Sequence, residues 1–271
     1  SLSLPSNAEA ATPEALADCD SVRLFVDRAE AAQPAFRLSD GNVAAVVQVC
    51  ARLDGIPLAL ELAAARVRVL TPEQIAGRLD DRFRLLSGGS RTALPRQRTL
   101  QALVDWSYDL LNQREKAVLC RLSVFTGGWT LEAAEAVCAG EEIETWEVLD
   151  FLMGLVDKSL VAYEEGASSQ GRYRLPETVR QYARERLREC GEESVVRTRH
   201  QDEFLRLARL AKPQMQGPGQ QLWLDRLEAE HDNFRTTLDR CLEDPDGAQP
   251  GLQLAADLFF LWWIRGYFAE G

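Results

Sequence analysis

The sequence predicts an all-α, mainly helical chain with one short β-hairpin, and three observations carry that prediction. Apolar residues recur at helical spacing over most of the 271 residues. Prolines sit where helices start, as in Gly55-Ile56-Pro57 and Thr71-Pro72-Glu73, positions at which the missing N–H has no intrahelical partner to lose. One stretch alternates instead: Ser159-Leu-Val-Ala-Tyr, a turn-rich Glu-Glu-Gly-Ala-Ser-Ser-Gln-Gly, then Arg172-Tyr-Arg-Leu.

The elements follow in order. Residues 1–20 are rich in Ser, Pro and Ala and predict an extended segment and a turn, with Thr12-Pro13-Glu14 able to start a short helix. From Ser21, the pattern Val22, Leu24-Phe25, Ala29 predicts an amphipathic helix ending near Pro34. Val43, Val46-Val47 and Cys50 predict a second helix that stops at Gly55. Pro57 opens a third helix, apolar almost all round and hence buried. Thr71-Pro72-Glu73 starts another that runs to about Leu79, and 87–95 reads as a linker. Residues 21–90 thus read as a helical bundle.

Beyond the linker, helices are expected at about 99–111, 113–124, 130–138 and 145–157, then the hairpin, then a helix over 177–189. Helices followed by a two-stranded hairpin make the winged-helix order, which assigns 91–192. From Ser194 only helical periodicity remains, at about 194–212, 219–242 and 251–264, and 193–271 reads as the start of a helical-repeat array. The aromatics Phe259, Phe260, Trp262, Trp263, Tyr267 and Phe268 fall at its end, where a buried repeat interface is the default explanation.

Composition narrows function. Six scattered cysteines, never as CxxC, and only His200 and His231 make no zinc-ligand spacing; a reduced, cytoplasmic setting is expected, with no metal and no catalytic set. No apolar run reaches the roughly 20 residues of a membrane span. The net charge of −11 would repel a phosphate backbone. Residues 99–190 hold 10 Lys/Arg against 16 Asp/Glu, and the third winged helix, 145–158, carries three acids and one lysine. No direct nucleic-acid partner and no membrane partner are therefore expected for this chain.

Six strings, in order, carry a resemblance: SVRLFVDRA (21–29), GIPLALELAAAR (55–66), LTPEQIAGRLDDRFRLL (70–86), RTLQALVDWSYDLL (98–111), LCRLSVFTGG (119–128) and RYRLPETVRQYARERL (172–187). Together the chain resembles the bacterial NB-ARC-type signal-transduction ATPases of the STAND class, which share a plan with apoptotic ATPases and plant resistance proteins. EHDNFRTTLDRCL (230–242) resembles the start of their tetratricopeptide-like region. The resemblance implies a regulatory switch module of an ADP- or ATP-binding regulator. Gly55, Ile56, Pro57 and Leu58 match the family's GxPL motif, whose proline packs against adenine. Leu175-Pro176-Glu177 occupies the place of its Met-His-Asp motif, where Pro176 offers no donor and Glu177 keeps only the carboxylate.

No GxxxxGK[ST] string occurs, so ADP or ATP is expected to be held in the full-length parent and not tightly here. Residues 1–20 are read as the tail of an upstream nucleotide-binding domain, which would be one partner. Protein partners are expected through the helical repeats. Two other classes compete: a DNA-binding winged-helix transcription factor with a helical dimerisation tail, and a helical-repeat scaffold for protein partners.

Overall fold

A computed structural model describes residues 2–5, 16, 19–86, 95–140, 142–165, 171–244 and 247–267, with the side chains of 80–98 outside the description. The helix start at Thr12–Glu14, the linker after Ser87, the hairpin turn at 166–170 and Phe268 lie outside the described residues. Among the described residues there are thirteen α-helices and one antiparallel hairpin, so the mainly helical class and its hairpin hold. The chain forms two compact units, Ser1–Asn112 with Gly154–Leu160, and Gln113–Met153 with Val161–Gly271.

The first unit is a bundle of α1 (Asp20–Ala32), α2 (Val43–Arg52), α3 (Pro57–Ala64), α4 (Pro72–Leu86) and α5 (Pro95–Asp109). Helix α1 packs on α2 and α3, α2 on α4, and both α3 and α4 meet α5. Val22, Phe25, Val46, Cys50, Leu60, Leu62 and Ile75 are fully buried among them. Helix α3 buries Ala59, Leu60, Leu62, Ala63 and Ala64, as its apolar pattern predicts, and continues as a tight 3-10 turn over Ala65–Arg68. A reciprocal cap starts α4: Gln74 N donates to Thr71 Oγ1 at 3.4 Å, and Thr71 N donates to Gln74 Oε1 at 3.0 Å. This helix runs on to Leu86, seven residues beyond the expected end, because no Gly or Pro interrupts it after Gly77.

In the second unit, α6 (Gln113–Leu122), α7 (Leu131–Cys138), α8 (Val148–Asp157), β1 (Ala162–Glu165), β2 (Gly171–Arg174) and α9 (Glu177–Glu189) follow in winged-helix order. Helix α8 gives 148–153 to this unit, while its last residues cluster with the first. Strand β1 pairs with β2 in the register Tyr163↔Tyr173. Trp129 extends the pairing by exchanging two 2.9 Å backbone hydrogen bonds with Tyr173. The strand begins at Ala162 and not at Ser159, whose φ of 57° is left-handed and breaks the extended backbone.

Helices α10 (Glu193–Ala211), α11 (Gln220–Ala229), α12 (His231–Glu243) and α13 (Ala248–Arg265) complete the unit. The single helix expected over 219–242 is two helices. It breaks at Glu230, whose backbone (φ −100°, ψ 8°) leaves the helical region while its carboxylate turns inward. Aromatic rings run through the core: Phe125 stacks on Trp129 at 5.2 Å and meets Phe204 edge-on at 6.2 Å, and Phe204 meets Phe234 at 5.6 Å. Such rings bury large apolar areas in offset or edge-on contact, which holds α10 and α12 to the winged helix.

Candidate functional site

The Gly55–Leu58 corner is a left-handed turn into α3. Gly55 has φ +61°, and a side chain there would place its Cβ 2.6 Å from the carbonyl oxygen of Leu2. Only glycine fits, because Leu2 N donates to Gly55 O at 2.9 Å and draws residues 2–4 across the turn. Pro57 is the first residue of the helix and is exposed, while Ile56 and Leu58 are half-buried. The corner therefore presents an open apolar edge.

Pro176 and Glu177 lie in the other unit. Pro176 caps α9, and the Glu177 carboxylate accepts two 2.9 Å hydrogen bonds from Arg180 and one of 2.8 Å from Gln181. Arg180 holds that carboxyl below the usual carboxylate range. Acceptor capacity here is spent on the helix itself, and neither residue has a donor for a phosphate oxygen.

On the winged helix, the exposed side of α8 shows Leu149, Asp150 and Met153, next to an exposed Trp146. None of these side chains except the indole of Trp146 can donate a hydrogen bond to a base edge or a phosphate. Cations on neighbouring elements are matched with acids: Arg114 with Glu147, Arg121 with Glu192, and Arg186 with Glu189. The hairpin differs. Arg174 and Glu164 form a 2.7 Å pair across it, with both side chains more than half exposed (61% and 57%). Tyr163 lies beside Tyr173, with ring centroids 5.2 Å apart.

Behind the hairpin is a polar joint. Asn233, fully buried, accepts from Thr126 N at 2.8 Å and donates to Gly128 O and Glu230 Oε2, each at 2.8 Å. Glu230 pairs with Arg172 of β2, which also donates to Ala229 O at 2.9 Å. Burial raises the Glu230 carboxyl, and Arg172 opposes the rise. Gly128, at φ +101°, lets the Trp129 segment approach β2; a Cβ there would meet Tyr173 O at 2.8 Å. Reading the sequence alone missed this joint. Its signal was the run Glu230-His-Asp-Asn233 in an otherwise apolar-periodic helix, where polar residues fall on the inward side. Of the aromatic set, Trp262 is buried while Phe259 and Trp263 are exposed.

No helix among the described residues is long and apolar enough to cross a membrane. Among them, too, no group of three His, Cys, Asp or Glu is placed to hold a metal.

Residues 111–188 match the winged helix-turn-helix domain family. A protein of Mycobacterium tuberculosis (strain ATCC 25618 / H37Rv), provisionally named an HTH-type transcriptional regulator, is 45% identical over 252 residues, covering 93% of this chain and 28% of its own length. A Mycobacterium bovis protein of the same description matches to the same extent. An uncharacterized M. tuberculosis protein is 44% identical over 182 residues, 67% of this chain and 46% of its own length. The chain thus spans less than half the length of each of these relatives. The family matched is the winged helix-turn-helix domain, not the nucleotide-switch ATPases.

These findings overturn the expectation that the chain has no direct nucleic-acid partner. That expectation averaged charge over whole segments, whereas contact with a duplex depends on which few side chains an element presents. The acidic third helix says nothing of the hairpin beside it.

Proposed function

We propose that this chain is the DNA-contacting part of a transcriptional regulator, and that its winged helix meets duplex DNA through the β1–β2 hairpin. The observation that carries this reading is the hairpin itself, which closes a domain of winged helix-turn-helix type with Arg174 exposed on it. An exposed ion pair is worth no more than about 1 kcal/mol, so a phosphate oxygen can replace Glu164 beside Arg174 at little cost. The relatives named as HTH-type regulators support the same reading.

Selection of duplexes from a random pool, followed by fluorescence anisotropy on the winners, tests it. A duplex should be enriched, with affinity falling steeply as salt rises. Arg174→Glu should weaken binding by about tenfold or more, as expected when a phosphate contact becomes a repulsion, while Asp150→Ala should not weaken it. An absence of enrichment, or equal affinity of the Arg174→Glu protein, would overturn the hairpin assignment.

A second reading concerns control. The exposed ring of Pro57 beside half-buried Ile56 and Leu58 favours adenine of ADP or ATP packing at this corner in the full-length regulator. Phosphate binding would fall to residues outside this chain. In the full-length polypeptide, Pro57→Ala should lower nucleotide affinity by about 1–2 kcal/mol, the value of part of an apolar face. The melting of this chain should change by less. Equal losses in both measurements would make Pro57 a helix-start residue only.

A further inference from the structure

A cleft of about 230 Å³ opens in the second unit between α9, α10 and α12, lined by Arg184, Arg197, His200, Arg240, Thr126 and Thr236, with the exposed acids Asp239 and Glu243 also on its lining. The three guanidinium groups are weakly countered. Arg184 is 3.7 Å from Glu193, a carboxylate that Arg188 also takes at 3.2 Å. Arg197 is 3.4 Å from Glu243, whose side chain is mostly in solvent. Arg240 is held by neutral oxygens, Gln201 Oε1 at 3.0 Å and Thr198 Oγ1 at 2.9 Å.

The charges also feel one another. Burial, then Arg188 and Arg197, hold the Arg184 guanidinium below its ordinary value. The His200 imidazole is pushed down to about 4 by burial, with Arg197 and Arg240 adding to the fall against the hydrogen bond that its Nε2 donates to Asn233 Oδ1. Like charges gathered around a cavity cost free energy until an anion enters it. Thr126 Oγ1 and Thr236 Oγ1, 3.1 Å apart, are rotatable hydroxyls at the same wall.

We propose that this cleft binds the phosphate group of a small phosphate monoester between Arg184, Arg197 and Arg240, with the two threonine hydroxyls as further contacts. Guanidinium forks match the tetrahedral, multiply charged phosphate better than a carboxylate, which presents only two oxygens. A cleft of about 230 Å³ has room for a small phosphate ester. The site is independent of the DNA reading, since it uses none of the hairpin's residues.

Calorimetry and thermal melting of this chain with glucose 6-phosphate, inorganic phosphate and glucose test the proposal. Glucose 6-phosphate should bind and raise the melting temperature, inorganic phosphate should bind more weakly, and glucose should do neither. Arg184→Gln and Arg197→Gln should each weaken binding by about tenfold, the loss of one charge-assisted contact. These two break only long or solvent-exposed pairs, and their ligand-free melting curves check folding. Arg209→Gln, which removes an exposed charge outside the cleft, should leave binding unchanged. No binding of either phosphate, or equal loss with Arg209→Gln, would overturn the site. Inorganic phosphate binding as tightly as the ester would overturn the monoester assignment. Loss of duplex affinity in Arg197→Gln without any ester binding would give these arginines to the DNA backbone instead.

Discussion

Glu230 and Arg66 are both buried charged side chains, one in each unit, and they are housed in opposite ways. Glu230, 2% exposed, meets Arg172 and Asn233 and is wired through them to the hairpin and to the 126–128 turn. Arg66, 5% exposed, has no hydrogen-bond partner for Nε or Nη2 among the described residues and lies over the Trp106 ring, 5.9 Å from its centroid. A buried charge that is bonded on every side fixes geometry, here a helix break and the docking of a wing. One whose Nε and Nη2 find no partner among the described residues carries its desolvation cost with a cation–π contact in return. The π face of Trp106 does not replace a carboxylate, and burial pushes the Arg66 guanidinium down to about 10.

The largest effect should come from breaking the bonded member. Glu230→Ala leaves the Arg172 guanidinium and the Asn233 amide facing a gap, and breaking a buried pair from one side costs about 3–4 kcal/mol. Denaturant unfolding should show that loss, and hydrogen exchange should place it in α12 and β2. A change below about 1 kcal/mol would mean that water satisfies both groups and that the joint is not what holds the hairpin. In the double variant with Arg172→Met, much of the loss should return, since no uncompensated charge remains.

His200 tests the same joint through pH. It is 3% exposed, faces Asn233 Oδ1 at 3.3 Å and packs on Phe125 at 5.2 Å. Its folded pKa lies below the unfolded value, so the neutral ring is the stabilising form. That stability is complete above pH 6.5 and is lost as pH falls from 6.5 towards about 4. The loss should approach about 3 kcal/mol at the acid end of that window. The raised Glu230 carboxyl acts with the opposite sign, adding stability on acidification, so the difference between wild type and His200→Phe isolates the histidine. Unfolding curves with the same pH slope in both proteins would show that His200 is not buried neutral.

Much of the fold was legible because periodicity and Gly/Pro punctuation are local signals. The helix at Glu177–Glu189 and the proline start of α3 follow directly from them. The break at Glu230 was not legible, since both flanking segments are good helix formers and the backbone departs there to satisfy Thr126 and Gly128, more than a hundred residues away. Nor was the arginine cleft: Arg184, Arg197 and Arg240 read singly as solvent-exposed positions of amphipathic helices, and only packing brings them to one cavity. The hairpin's proposed part in DNA contact was hidden by the same averaging, because Arg174 is one cation within an acidic segment.

The smallest effect, and the one of opposite sign, belongs to the unbonded charge. Arg66→Met keeps a long, flexible apolar stem of similar reach and removes the guanidinium that finds no partner for Nε or Nη2 among the described residues. Two terms compete. Losing the cation–π contact with Trp106 costs about 1 kcal/mol, whereas removing the desolvated charge returns somewhat more. Replacement of buried ionic groups by apolar ones of similar volume is commonly neutral or stabilising, so the first unit should gain about 1 kcal/mol. Arg66→Ala is the necessary companion: it removes the same charge but leaves a cavity, and should lose about 2–3 kcal/mol. Thermal melting of both variants decides the matter. If Arg66→Met is destabilised as much as Arg66→Ala, the guanidinium is bonded in solution, and the two buried charges are housed alike after all.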